Sequence, residues 1–197
     1  MRARLITGVI AAGSVIALAG CGTDAGPAQE PGQSSPTQVA SPIPPVKNPR
    51  DVTAMARRPC ELLSPRQVSE FGLDSPPKQL EGLFGTLRCK WTSTMPDRRT
   101  FRTVDISMFT DNPTLEVGYT QDRDRPSFEL TEISSYPALV SRPLADEPIC
   151  NIDVKPAERQ SISVTYESRE LKDNPRQSCE VGKRVAAAVL MNLPLKS

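Results

Sequence analysis

The chain has 197 residues, with 24 Lys and Arg against 23 Asp and Glu and a formal net charge of +1. This balance predicts no nucleic-acid partner, because nucleic-acid binding needs an excess of positive charge. Histidine is absent, which excludes catalysis by an imidazole base and removes the commonest transition-metal ligand. The 20 prolines and a hydrophobic content of 38% indicate that part of the chain lies outside any packed core.

Residues 1–20 have the pattern of a bacterial lipoprotein signal peptide. Two arginines precede an uncharged apolar stretch from residue 5 to residue 18, which is shorter than the roughly 20 residues that span a bilayer. The stretch ends in LAGC at residues 18–21, which resembles the lipobox. We therefore expect cleavage between Gly20 and Cys21 and lipid on the Cys21 thiol, which anchors the protein to the extracytoplasmic face of the cell membrane. An uncleaved anchor and a chance LAGC are the alternatives.

Residues 21–58 are predicted to be the lipidated cysteine followed by a disordered tether. Seven prolines and few aliphatic side chains lie between residues 22 and 58, so this segment has little apolar surface with which to offset the entropy cost of ordering. The remaining residues, 59–197, are enough for a single globular domain with one core.

The elements of that domain can be predicted in chain order. Ser64 and Gln67 flank Pro65 as in a capping box, and the helix that they begin is expected to end near Gly72. Alternating apolar residues predict strands at 87–91 and 103–108. Three further strands are predicted at 128–140, 150–154 and 161–166.

Asn-Pro pairs at residues 112–113 and 174–175 predict the starts of two more helices. The second of these helices is expected to run from Pro175 to about Leu193. The fold class is therefore α+β, with a mainly antiparallel sheet of about five strands and helices packed on it.

Four cysteines lie in the predicted domain, and an even number in an exported protein implies two disulfides. Three pairings are possible. Cys60–Cys89 and Cys150–Cys179 are favoured, because each pair is 29 residues apart and joins a predicted helical region to a predicted strand. A zinc site is disfavoured, since there is neither a C-x-x-C motif nor a histidine.

The segment PCELLSP at 59–65, LRCKW at 87–91 and the late Cys150 and Cys179 resemble the domain of unknown function 3558 family. Its members are largely actinobacterial lipoproteins with a lipobox and a Pro-rich tether, so the resemblance implies the same organisation here and no particular chemistry. The order of elements is also similar to the PsbP/Mog1-like α/β/α sandwich, a likeness of fold that implies no site.

No catalytic residue, cofactor or metal site is predicted, because the chain lacks an S-x-x-K motif, a phosphate-binding loop and a calcium-binding loop. Residues 82–85 (GLFG) lack the G-K-[ST] ending that a phosphate loop requires. The paired carboxylates Asp122 and Asp124, and Asp146 and Glu147, are interpreted as parts of solvated loops. The alternative is a hydrolase that uses Asp146 and Glu147.

Two other features have a structural and a functional interpretation. Trp91 is the only tryptophan, and core packing beside a disulfide is favoured over a ring that faces a ligand. The basic turn at 97–99, together with Arg102, is favoured as a solvated turn over a contact with an anionic partner.

The sequence thus predicts a lipid-anchored, non-catalytic module that binds an unknown small molecule, wall polymer or envelope protein. One alternative is an accessory subunit of a membrane sensor, transporter or secretion complex, and the other is the carboxylate-dependent hydrolase.

Overall fold

The computed structural model of the protein describes residues 41–93, 100–125 and 127–196. The predicted signal peptide, the cleavage site after Gly20, the lipidation site at Cys21 and the first part of the tether lie outside these ranges, as does the basic turn at 97–99. Within the described ranges, no helix has the length and apolar content needed to cross a bilayer.

The described residues form one antiparallel sheet of seven strands, in the order β1-β2-β3-β7-β6-β5-β4. The strands are β1 (Lys78–Glu81), β2 (Leu87–Thr92), β3 (Arg102–Phe109), β4 (Glu129–Ile133), β5 (Tyr136–Ser141), β6 (Ile149–Ala157) and β7 (Gln160–Ser168). The predicted α+β class with an antiparallel sheet is confirmed.

The predicted number of about five strands was wrong, for two physical reasons. The edge strand β1 is exposed at three of its four residues, so it has no buried face to produce an alternating pattern. The predicted strand at 128–140 is a hairpin, in which Ser134 and Ser135 form the turn with φ angles of 52° and 70°. These angles suit Asn or Gly better than Ser, which is why the turn was missed.

Helices are found at all three predicted places: α1 (Pro65–Glu70), α2 (Thr114–Asp122) and α3 (Arg176–Asn192). The capping box of α1 is present, since Gln67 N donates to Ser64 Oγ over 3.3 Å and Ser64 N donates to Gln67 Oε1 over 2.8 Å. The other two helices begin one residue after their prolines, and no side chain caps them.

One face of the sheet, here called the covered face, carries the core and is closed by α3. Val185, Val189 and Leu190 of α3 are buried. The helix approaches the sheet closely at Gly182, where an added Cβ would collide with Ile152 Cδ1. A residue with a side chain at this position would push the helix away from β6.

Two disulfides are present, as predicted, and both lie on the covered face. Cys60–Cys89 joins a 3-10 turn (Pro59–Glu61) to β2, and Cys150–Cys179 joins β6 to α3. Each closes a loop of 29 residues, so both constrain the unfolded chain to a similar extent.

The folded unit begins before the predicted boundary at residue 59. Ile43 and Val52 are 5% and 0% exposed, and Val52 N donates to Gln160 Oε1 over 3.1 Å. Arg50 forms a bridge with Leu195 and its backbone N–H donates to Pro156 O over 2.9 Å. The sequence predicts that residues 43–58 belong to the tether, because they have few apolar side chains. In the structure, these few aliphatic residues and long-range hydrogen bonds are enough to hold the segment against the sheet.

The opposite face of the sheet, here called the polar face, is only partly covered. Leu115 of α2 is buried against Ile43 and Leu139, and Thr114 accepts a hydrogen bond of 2.7 Å from the Ser161 hydroxyl. Helix α2 contacts β5, β6 and β7. Among the residues that the structure describes, no helix covers the part of the polar face formed by β2 and β3.

Candidate functional site

A row of polar side chains crosses the polar face in register. Arg88 on β2 pairs with Ser107 on β3, Ser107 with Ser163 on β7, and Ser163 with Asp153 on β6. Adjacent strands lie about 4.8 Å apart, and register partners point to the same side of the sheet. The register therefore brings a guanidinium, two hydroxyls and a carboxylate into one line.

A cavity of about 480 Å³ lies over the part of this row formed by Arg88, Ser107 and Ser163 and is here called the sheet-face cavity. Its volume is within the range of small-molecule sites. Its lining includes the polar side chains Arg88, Asp105, Ser107, Ser163 and Thr165 and the apolar side chains Leu83 and Phe109. Most of these residues lie inside strands, so the sheet fixes their positions.

Arg88 and Asp105 form an ion pair at the cavity, with side chains only 34% and 20% exposed. Arg88 also donates to Glu81 O over 3.3 Å. Burial raises the pKa of Asp105, although Arg88 and Lys90 both act to lower it. The pair is thus partly withdrawn from water. In such a partly buried environment, hydrogen bonds to a ligand are stronger than at an open surface.

Asp153 lies one strand beyond the cavity, where α2 covers the sheet. Burial raises the pKa of its carboxyl, the Ser163 hydroxyl lowers it in part, and the negative charge of Asp122 raises it further. On the same two strands, two residues along, the Thr165 hydroxyl donates to Asn151 Oδ1 over 2.9 Å. The polar groups on this side of the sheet are therefore held by one another rather than freely hydrated.

The loop at residues 82–86 forms one rim of the cavity, which it borders through Gly82 and Leu83. Leu83 and Phe84 are 72% and 85% exposed, and Phe84 has a φ of 55°. Thr86 holds the loop, since its hydroxyl donates to Leu83 O over 2.7 Å and its carbonyl accepts from Gly82 N over 2.8 Å. The sequence of this loop excludes a phosphate-binding loop, but the rim was not predicted from it. The available signal was two large apolar residues between glycines.

A larger cleft of about 960 Å³ lies at the ends of β6 and β7, and Asp146 and Glu147 line it. Both are exposed loop residues, but the fold brings them together with Glu167, Glu170 and Asp173. We call this the acidic cleft. Within the described residues, no group of three or more potential metal ligands has a suitable arrangement.

The acidic cleft differs from the sheet-face cavity in how its polar groups are held. Most of its charged side chains come from loops and from the 3-10 turn Arg169–Leu171. Asp122 and Asp124, the other predicted pair, lie at the end of α2, where Asp122 contacts Arg125 at 3.0 Å. The sheet-face cavity is therefore the better candidate for a preorganised site.

Trp91 and Arg102 lie away from the sheet-face cavity. Trp91 is 1% exposed and belongs to the core beside Cys89. Arg102 forms an ion pair with Glu170, which joins β3 to the 3-10 turn after β7. Both residues have structural contacts that account for their positions.

A family model described as "Protein of unknown function (DUF3558)" matches residues 16–192. The comparison with curated proteins and the comparison with solved structures found no match.

Proposed function

Since the chain belongs to the DUF3558 family of proteins of unknown function, we propose a function from its own residues. The protein is a lipid-anchored, extracytoplasmic binding module without catalytic activity, and its sheet-face cavity holds a neutral, polyhydroxylated ligand such as a saccharide unit of a wall polymer.

The observation that carries this proposal is the partly buried Arg88–Asp105 pair with hydroxyl side chains beside it. A sugar hydroxyl both donates and accepts hydrogen bonds, so it can donate to the Asp105 carboxylate and accept from the Arg88 guanidinium. The two charges balance, which favours a ligand without net charge. Leu83 and Phe109 supply apolar surface for the C–H groups of a sugar ring.

The anchoring part of the proposal is supported by the lipobox-like LAGC at 18–21 and by the two disulfides, which are typical of exported proteins. Lipid on Cys21 would hold the folded unit at the membrane, since two or more acyl chains give stable attachment. The fold part of the proposal is a PsbP/Mog1-like sandwich, supported by helices α3 and α2 on opposite faces of one antiparallel sheet.

The binding proposal is tested by isothermal titration of wall saccharide fragments against the wild type, Asp105→Asn and Ser107→Ala. Removing the charged acceptor should weaken binding about tenfold or more, because hydrogen bonds to charged groups are the stronger ones, and Ser107→Ala should weaken it less. The matched control is Asp146→Asn, which makes the same change in the acidic cleft. Binding that is lost in Asp146→Asn and kept in Asp105→Asn contradicts the proposal.

The anchoring proposal is tested with Cys21→Ser. Wild-type protein should fractionate with membranes, and its mass should show cleavage before Cys21 with acyl chains attached. The variant should remain unprocessed or leave the membrane. An unchanged mass and an unchanged membrane fraction in the variant would exclude lipidation at this residue.

A further inference from the structure

The turn between β1 and β2 presents two apolar side chains to solvent in an uncharged stretch of sequence. Residues 82–87 (GLFGTL) carry no charge, and Leu83 and Phe84 are both largely exposed. Phe84 does not line the sheet-face cavity, so that cavity does not account for its exposure. We call Leu83 and Phe84 the apolar tip.

The turn holds the apolar tip in its exposed position. Besides the two hydrogen bonds of Thr86 described above, Thr86 N donates to Leu83 O over 3.1 Å. Phe84 has a left-handed backbone with a φ of 55°, which is unfavourable for a bulky residue other than glycine. Such strain is typical of residues that have a function. We therefore examined which partner the apolar tip could contact.

The apolar tip lies at one end of the sheet, here called the tip end. By the strand register, β3 and β6 end there, and β5 and β7 begin there. Leu195 is exposed and lies at the same end, since it forms a bridge with Arg50, whose backbone N–H donates to Pro156 O near the end of β6. Two separate parts of the chain thus place exposed apolar side chains at the tip end.

The chain that follows the predicted lipid anchor joins the folded unit on the same side. Ile43 packs against Leu139 of β5, and the Tyr136 hydroxyl, at the start of β5, donates to Asn48 O over 2.7 Å. Strands β5 and β2 are four strand spacings apart, or about 19 Å. Residues 22–42 separate Cys21 from Ile43, a connection that spans at most about 75 Å. Lipid on Cys21 would therefore keep the tip end within reach of the bilayer.

The opposite end of the sheet, where β6 begins and β7 ends, carries the acidic cleft. Asp146, Glu147 and Asp173 line this cleft, in which acidic side chains outnumber basic ones. An acidic surface is repelled by a bilayer that contains anionic lipids. The tip end, with its uncharged turn, is therefore the end that is suited to approach a membrane.

We propose that the apolar tip inserts into the extracytoplasmic interface of the membrane and orients the folded unit with its tip end toward the bilayer. Leu83 and Phe84 lie at the boundary between headgroups and acyl chains, where burial of apolar surface is favourable. The nearest charged residues in the chain, Glu81 and Arg88, stay outside the hydrocarbon. A contact of two side chains is sufficient, because attachment at Cys21 makes the insertion intramolecular.

The proposal rests on the anchoring proposed above and not on saccharide binding, so the test supplies its own anchor. The chain from Cys21 onward contains every described residue, and its other four cysteines form the two disulfides. The Cys21 thiol is therefore available for coupling to phosphatidylcholine vesicles that contain a maleimide-bearing phosphatidylethanolamine. This attachment is made whether or not cells acylate the residue, so a failure of the anchoring proposal does not decide the result.

Insertion is measured with Phe84→Trp and with vesicles whose phosphatidylcholine has brominated acyl chains, which quench a tryptophan that contacts them. The native Trp91 is buried, so the wild type gives the background fluorescence. Phe84→Trp should lose most of its added fluorescence in the brominated vesicles. The matched control is Leu144→Trp, an exposed leucine in the loop between β5 and β6 at the opposite end of the sheet, which should lose little.

Quenching that is equal in Phe84→Trp and Leu144→Trp, or absent in Phe84→Trp, would overturn the proposal. Because Phe84 is exposed, Phe84→Trp should have the melting temperature of the wild type, which shows that the reporter is on a folded protein. Leu83→Trp is a second reporter and should also be quenched. Asp105→Asn, introduced beside Phe84→Trp, should leave the quenching unchanged, so this inference and the proposed saccharide site can fail separately.

Discussion

The two faces of the sheet are built from the same strands but have different roles. On β3, Val104 and Ile106 are 0% exposed on the covered face, while Asp105 and Ser107 line the sheet-face cavity. Neighbouring residues along one strand thus belong either to the core or to the candidate site. Substitutions one residue apart on β3 should therefore separate stability from binding.

The faces also differ in how they are closed. The covered face has α3, both disulfides and a continuous core. On the polar face, the one helix within the described ranges is the short α2, over β5, β6 and β7. A loss of packing on the covered face leaves a void that surrounding residues cannot fill. When a side chain is truncated on the open part of the polar face, water fills the space that it leaves.

The largest expected effect is that of Trp91→Ala on the covered face. Trp91 is 1% exposed, and truncation of a large buried aromatic residue costs about 3–5 kcal/mol of the free energy of unfolding. Lys90→Ala, the matched control on the polar side of the same strand, should cost less than about 1 kcal/mol. Urea unfolding followed by circular dichroism measures both. Similar losses in the two variants would mean that side chains on the two faces contribute equally to the free energy of unfolding.

The second largest loss in the free energy of unfolding is expected when either disulfide is removed by paired Cys→Ala substitutions. A closed loop of 29 residues is worth about 3–4 kcal/mol in the chain-entropy model. Because the loops are equal, Cys60–Cys89 and Cys150–Cys179 should contribute equally, and non-reducing peptide mapping should return these two pairs. Unequal losses would show that α3 or the 3-10 turn depends on its disulfide for native packing as well.

The third prediction concerns Asp153, whose pKa is raised by burial. Between the ordinary pKa of an aspartate and this raised value, the native state holds a proton that the unfolded chain has lost. The free energy of unfolding therefore falls as pH rises through that interval. Asp153→Asn should abolish this dependence of the free energy of unfolding on pH, and the variant should be more stable than the wild type at pH 7.

Urea unfolding from pH 4 to pH 8 tests the third prediction, with the exposed Asp146→Asn as the control. The control should follow the wild type at every pH. If Asp153→Asn is less stable than the wild type at pH 7, the charged carboxylate has a favourable partner that outweighs its burial.

The covered face was largely predictable from the sequence, because its pattern is local. The alternation through Cys89 and Trp91 on β2, and the spacing of Val185 and Val189 on α3, follow from single elements. The capping box at Ser64 was predictable for the same reason. The failures came where local pattern is weak: the exposed edge strand β1 and the turn at Ser134 and Ser135.

The sheet-face cavity was not predictable, because it depends on register. Arg88, Ser107 and Ser163 lie far apart in sequence and meet only through the pairing of β2, β3 and β7. A strand register shifted by one residue would turn each side chain to the other face. Similarly, Ile43 and Val52 carry no periodic signal, so their packing on the sheet could not be inferred from residues 21–58 alone.

The smallest effect on stability is expected at the rim of the sheet-face cavity, with Leu83→Ser and Phe84→Ser combined. Because both residues are largely exposed, the free energy of unfolding should change by less than about 0.5 kcal/mol. Saccharide affinity should nevertheless fall severalfold, since the rim supplies apolar surface beside the polar row. Leu144→Ser is the control, an exposed leucine that does not line this cavity. If the rim variant and the control bind equally well, the site is confined to the polar row, and the two exposed side chains of the rim serve some other contact.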